Sequence, residues 1–170
     1  EGGGTEFKQT LVFKVFDQTG VDNWKEYYVS ACSNQSGIVD KAEVFKKNGS
    51  KLEAQQDGGY IVFSNLEPGD AIHLTYRTKN YYYGKLANNY WDYHYFQYSI
   101  PVAQSSYALL FPQSQEFQYK MNGENLAPTY ATKGNNGLYI WEMKDIPAIE
   151  REPLMSTIAD VGKVLHISTF

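Results

Sequence analysis

Apolar residues in this chain recur at every second position, and that period decides what the chain can become. Leu11, Phe13 and Val15 alternate with Thr10, Val12 and Lys14, and Ile72, Leu74 and Tyr76 alternate with His73, Thr75 and Arg77. Leu52 and Ala54 alternate with Lys51 and Glu53, and Phe117, Tyr119 and Met121 with Gln118 and Lys120. In an extended chain successive side chains point to opposite faces, so each run predicts a strand with one apolar face. Tyr107 to Phe111 and Leu138 to Met143 are apolar on both faces and predict central strands under a second layer.

Turn chemistry separates the runs. Asn48-Gly49 suits a type I′ hairpin, since both residues tolerate positive φ. Glu67-Pro68-Gly69-Asp70 matches a type II turn: proline presets φ and glycine supplies the left-handed position after it. Asp57-Gly58-Gly59 and Lys133-Gly134-Asn135-Asn136-Gly137 predict further reversals. Residues 144–163 hold Pro147 and Pro153 without a clean period, and predict an ordered loop with one helical turn. The sum is ten or eleven short strands and no long helix, an all-β class and an antiparallel sandwich. Residues 1–6 read as a tag or flexible lead-in. Residues 5–170 read as a single β-sandwich domain excised from a longer chain.

Composition narrows the function classes. A net charge of −4, with Lys46-Lys47 the only basic run, argues against a nucleic-acid or anionic-membrane partner. No apolar run approaches the ~20 residues of a membrane span. The single cysteine, Cys32, excludes an intrachain disulfide and is neutral on compartment.

The densest feature is aromatic. Tyr81, Tyr82, Tyr83, Tyr90, Trp91, Tyr93 and Tyr95 fall within fifteen positions. From Tyr93 the period is two again: Phe96, Tyr98, Ile100 and Val102 share a core face with His94, and Tyr93 and Tyr95 take the other. Tyr81 to Trp91 predict a loop or irregular hairpin instead. Tyr and Trp join an apolar body to a polar tip, and they are enriched at binding surfaces. Three readings stand: a cover for one edge of the sandwich, a contact with a partner protein or domain, and a small-ligand or glycan site.

Catalytic patterns are weak. Cys32 follows a strand-like run, where no helix begins to lower its pKa. Asp92 and His94 share one strand face and could hold a metal, but no third ligand is spaced to help. Glu150 and Glu152 flank Arg151 as a local charge pair. Asn34 and Asn48 each open an Asn-x-Ser sequon. No phosphate loop, dinucleotide fingerprint or serine elbow is present. We therefore expect no catalytic residue, no metal and no cofactor.

Two blocks carry a resemblance. The first runs from Ala42-Glu43-Val44 through Asn48-Gly49 to Phe63-Ser64-Asn65-Leu66-Glu67-Pro68-Gly69-Asp70, then Ile72 and Tyr76-Arg77. The second joins Tyr139-Ile140-Trp141, Ile146-Pro147-Ala148-Ile149 and Glu152-Pro153-Leu154-Met155 to His166-Ile167-Ser168-Thr169. Their order resembles the bacterial domain of unknown function that lies N-terminal to transglutaminase-like domains in secreted or periplasmic proteins of the Bacteroidetes lineage. The resemblance covers residues 7–170 and implies an immunoglobulin-like sandwich of about ten strands with no catalytic residues of its own. It implies a downstream transglutaminase-like domain as partner, with the Cys-His-Asp chemistry placed there, and a periplasmic or extracellular location. The expected function is a non-catalytic accessory or interaction domain, with a carbohydrate-binding module using the aromatic surface as the alternative.

Overall fold

The computed structural model describes residues 3–29, 33–85, 87–150 and 152–170. The all-β, antiparallel class holds: among the described residues 54% are strand and 7% helix, with no closed barrel. Thirteen strands occur among the described residues, more than the ten or eleven expected, because several are only three residues long. The chain divides into two compact units, Glu1–Asn88 and Asn89–Phe170.

The N-terminal unit holds β1 (Gly3–Lys14), α1 (Gln18–Trp24), β2 (Glu26–Tyr28), β3 (Gln35–Phe45), β4 (Lys51–Glu53), β5 (Gln55–Asp57), β6 (Tyr60–Val62) and β7 (Ala71–Tyr82). One sheet has the order β1-β7-β3-β4, the other β2-β6-β5. Their inner faces share one core. Ala42, Val44, Ile72 and Leu74 come from the larger sheet, Ile61 from the smaller, and Val15, Val21, Val29, Phe63 and Leu66 from flanking segments. Alternation explains the layer: His73 and Thr75 lie between the core positions of β7, on the opposite face. Asp17 caps α1 by accepting the Gly20 N–H at 2.8 Å.

Three local expectations change here. β1 begins at Gly3, inside the segment read as a lead-in. Gly3 lies so close to the Ala87 carbonyl that a Cβ would fall 1.8 Å from its oxygen, so only glycine fits. The Asn48-Gly49 reversal is not type I′, because only Gly49 has positive φ (87°). The Gly49 N–H donates to Lys46 O at 2.9 Å, making a type I turn closed by a left-handed glycine. Tyr81 and Tyr82 belong to β7, paired with Gly4 and Gly3, so a strand replaces the expected loop up to Tyr82. The Glu67–Asp70 turn is as read: Gly69 has φ 100° and the Asp70 N–H donates to Glu67 O at 3.1 Å.

The C-terminal unit holds β8 (Trp91–Tyr95), β9 (Val102–Pro112), β10 (Gln118–Met121), β11 (Thr129–Lys133), β12 (Asn136–Ile146), α2 (Ile158–Val161) and β13 (Val164–Ser168). Its sheets have the orders β10-β13-β8 and β11-β12-β9. Trp141, fully buried on β12, meets Tyr119 of the other sheet at 5.3 Å between ring centres, and Tyr107 of β9 at 6.1 Å. Phe96, Val164, Leu165 and Ile167 are also buried. β12 is central, as its two apolar faces predict. β9 is an edge: Tyr107, Leu109 and Phe111 are buried while Ala108 and Leu110 face out. The single turn of α2 falls within residues 144–163, as expected.

The strand expected from Tyr93 through Val102 is interrupted. It ends at Tyr95, and residues 96–101 are irregular before β9 starts just past Pro101, which has no N–H to donate. Phe96 keeps its core position. Tyr98 and Ile100 do not, and lie 40% and 42% exposed.

Candidate functional site

β8 sorts its five residues onto two faces. Trp91, Tyr93 and Tyr95 point outward; Asp92 and His94 point inward. Pairing with β13 places Ser168 opposite Trp91 and His166 opposite Tyr93. Phe170 stands edge-on to Trp91 at 5.8 Å, Tyr93 edge-on to Tyr95 at 5.4 Å, and Tyr98 lies 6.4 Å from Tyr95. Trp91 and Tyr93 are more than half exposed. A cavity of about 510 Å³ adjoins Tyr95, lined by Leu154, Met155, Thr157 and Ile158. Leu154 is fully exposed with φ 65°, a conformation that normally favours glycine. A row of rings beside a shallow cavity, which Glu152 and Ser156 also line, can stack on a partner.

The inward face is polar and paired. The Tyr107 hydroxyl donates to Asp92 Oδ2 at 2.7 Å, and Tyr90 reaches the same oxygen at 3.1 Å and the Tyr107 hydroxyl at 2.6 Å. His94 Nε2 lies 3.1 Å from Ser105 Oγ on β9, with its ring edge-on to Phe96 at 4.6 Å. Burial pulls the His94 imidazole down to about 4, against the smaller opposite pull of the Asp92 carboxylate. Burial pushes the Tyr107 phenol far above its usual range, and the Asp92 charge adds to this. A neutral imidazole beside a serine hydroxyl is chemically a base–nucleophile pair. Here Ser105 sits within a paired strand opposite Met143, and the His94 ring is packed between Phe96 and Tyr107. The arrangement stitches two sheets together.

The seven aromatic candidates therefore divide. Trp91, Tyr93 and Tyr95 form one surface. Tyr90 turns into the hydrogen-bonded cluster. Tyr81, Tyr82 and Tyr83 belong to the N-terminal unit, where Tyr83 is the most exposed of the three. Asp92 and His94 do share a face, but each is engaged with a different partner. Among the described residues no three His, Cys, Asp or Glu side chains converge as metal ligands. Cys32 and Arg151 lie outside the described residues. Tyr107, Ser105, Phe170 and Leu154 escaped the sequence reading, because each joins its cluster from a distant strand, turn or terminus. Only the phase of the alternation in β8, which turns Asp92 and His94 inward, hinted at buried polar partners.

A family model for a domain of unknown function with solved structure, DUF3857, matches residues 55–150. The chain belongs to the DUF3857 family. The match begins at β5 and ends just beyond β12, and so takes in the whole of β8 with both its faces. The DUF3857 chain is also similar to the crystal structure of a "putative protease" from Parabacteroides distasonis. The TM-score is 0.83 at 15% sequence identity, over 98% of this chain and 37% of that one. At that identity the likeness concerns the fold alone, and the chain spans little more than a third of that protein's length. No curated protein matches the sequence.

Proposed function

We propose that this DUF3857 chain is a non-catalytic accessory module of a longer secreted bacterial protein. In this reading it lies N-terminal to a transglutaminase-like domain and contacts it through the outward face of β8. The observation that carries the reading is the asymmetry of the structural match: the fold accounts for nearly all of this chain but 37% of the protein it resembles. The engagement of His94 by Ser105, and of Asp92 by Tyr90 and Tyr107, supports a structural role for the groups best suited to chemistry. The exposed rings of Trp91 and Tyr93 supply the amphipathic contact area typical of protein interfaces.

The test is calorimetric. The isolated chain is titrated with the domain that follows it in the natural gene, and a Trp91→Ala, Tyr93→Ala variant should bind about tenfold more weakly or worse. Equal affinity of variant and parent removes the β8 face from the reading. Turnover by the isolated chain that His94→Ala abolishes overturns the non-catalytic role. Quenching of tryptophan fluorescence by a polysaccharide would make the rings a glycan platform instead.

A further inference from the structure

Three Asn-Gly pairs occur in the chain: Asn48-Gly49, Asn122-Gly123 and Asn136-Gly137. Such a pair can rearrange without an enzyme. The glycine backbone nitrogen attacks the asparagine side-chain carbon and loses its proton, ammonia leaves, and a cyclic imide remains. Water then opens the imide at either carbonyl, giving aspartate or isoaspartate. The step needs a mobile backbone, access for water, and stabilisation of the side-chain oxygen as it gains negative charge.

The fold distributes these conditions unequally. Asn136 is held in β12 between Lys133 and Pro112, and Gly137 is buried against the rings of Tyr130 and Tyr139. The Asn122 side-chain amide donates to Ala159 O at 3.0 Å, and its backbone N–H donates to Val164 O at 2.9 Å. Asn48 is exposed in the turn between β3 and β4. Gly49 and Gly123 alike have positive φ and open space where a side chain would stand, so the asparagine side chain sets the two sites apart. The Asn48 Oδ1 accepts two hydrogen bonds, from the Ser50 N–H at 2.9 Å and the Ser50 hydroxyl at 2.7 Å. Both donors aim at the atom on which charge develops when Gly49 attacks, which is the logic of an oxyanion hole. The attacking nitrogen must first release Lys46 O, while the base of the turn stays held by the Lys46 N–H to Ser50 O at 2.9 Å and the Lys47 N–H to Asp70 at 3.0 Å.

We propose that Asn48 is a self-processing site, converted to aspartate or isoaspartate by its own turn with water as the only co-reactant. Conversion adds a carboxylate to a chain of net charge −4, two residues from Lys46, the lysine that binds Asp70.

The experiment incubates the purified folded chain in warm, mildly alkaline buffer and maps its peptides by mass over time. Asn48 should lead Asn122 and Asn136 by about tenfold or more, and Ser50→Ala should slow Asn48 by about three- to tenfold, as expected for losing one donor to a developing oxyanion at an exposed site. In concentrated urea the three sites should converge. A folded chain in which Asn48 reacts no faster than the other two overturns the proposal, as does a Ser50→Ala rate equal to the parent's.

Discussion

Lys46 Nζ sits 2.5 Å from Oδ2 of Asp70, and this pair ties together two turns of the N-terminal unit. Asp70 is buried. Its Oδ2 also accepts the Glu67 N–H at 2.8 Å, and its Oδ1 accepts the Lys47 N–H at 3.0 Å. Lys46 in turn donates to Asn65 O and to Glu67. The carboxylate thus anchors the turn after β3 to the turn before β7.

Removing that carboxylate should unfold the join. Asp70→Ala takes one acceptor from the Lys46 ammonium, which keeps Asn65 O and Glu67, and leaves the Glu67 and Lys47 N–H groups without theirs. The expected cost is about 2–3 kcal/mol, the scale for leaving buried donors unsatisfied. Urea denaturation followed by circular dichroism measures it. An unchanged midpoint would make the pair decorative. Burial raises the Asp70 pKa, but the hydrogen bonds from Lys46, Glu67 and Lys47 outweigh it and hold the net value below the usual range. This stabilisation is therefore present above about pH 4 and lost as the pH falls through the lowered folded value.

This turn was legible in the sequence because its information is local. Pro68 and Gly69 fix the backbone, and Leu66 and Ile72 on either side enter the core as the alternation says. The clustering of Trp91, Tyr93 and Tyr95 was legible for the same reason. Period two puts them on one face, and which face looks outward was the remaining question. Tyr90 shows where local reading stops. Nothing nearby distinguishes it from Trp91, and its inward turn depends on Tyr107, which β9 brings in from seventeen positions away. The interruption at residues 96–101 was hidden likewise, since Tyr98 and Ile100 keep the alternation of a strand although β8 has already ended.

His94 gives the C-terminal unit an acid sensitivity of known sign. The imidazole titrates at about 4 when folded and at about 6.5 when unfolded. Between these values the unfolded chain binds a proton that the folded chain refuses. Stability is full above about pH 6.5 and falls as the pH drops toward 4, by up to about 3 kcal/mol. The melting temperature should fall between pH 7 and pH 5, and His94→Gln should flatten that slope. A variant with the parent's slope would assign the sensitivity elsewhere.

Trp141 should be the least replaceable ring of its unit. It is fully buried and contacts Tyr107, Phe117, Tyr119 and Tyr139, so it bridges both sheets. Trp141→Ala removes the largest buried side chain and should cost about 3–5 kcal/mol. Trp141→Phe keeps part of the contact and should cost less. A chemical denaturation midpoint that Trp141→Ala leaves unmoved would refute this.

The three tryptophans should report separately on solvent. Trp24 stacks on Phe13 at 3.8 Å, Trp141 is sealed in the core, and Trp91 is 53% exposed on the outward face of β8. Acrylamide should therefore quench Trp91 most strongly. Trp91→Phe should remove most of the accessible fraction while leaving the unfolding free energy within about 0.5 kcal/mol of the parent, as for surface substitutions. If quenching persists in that variant, the exposed indole lies elsewhere. If stability collapses instead, the edge contact with Phe170 is a structural element, and the rings of β8 serve the fold rather than a partner.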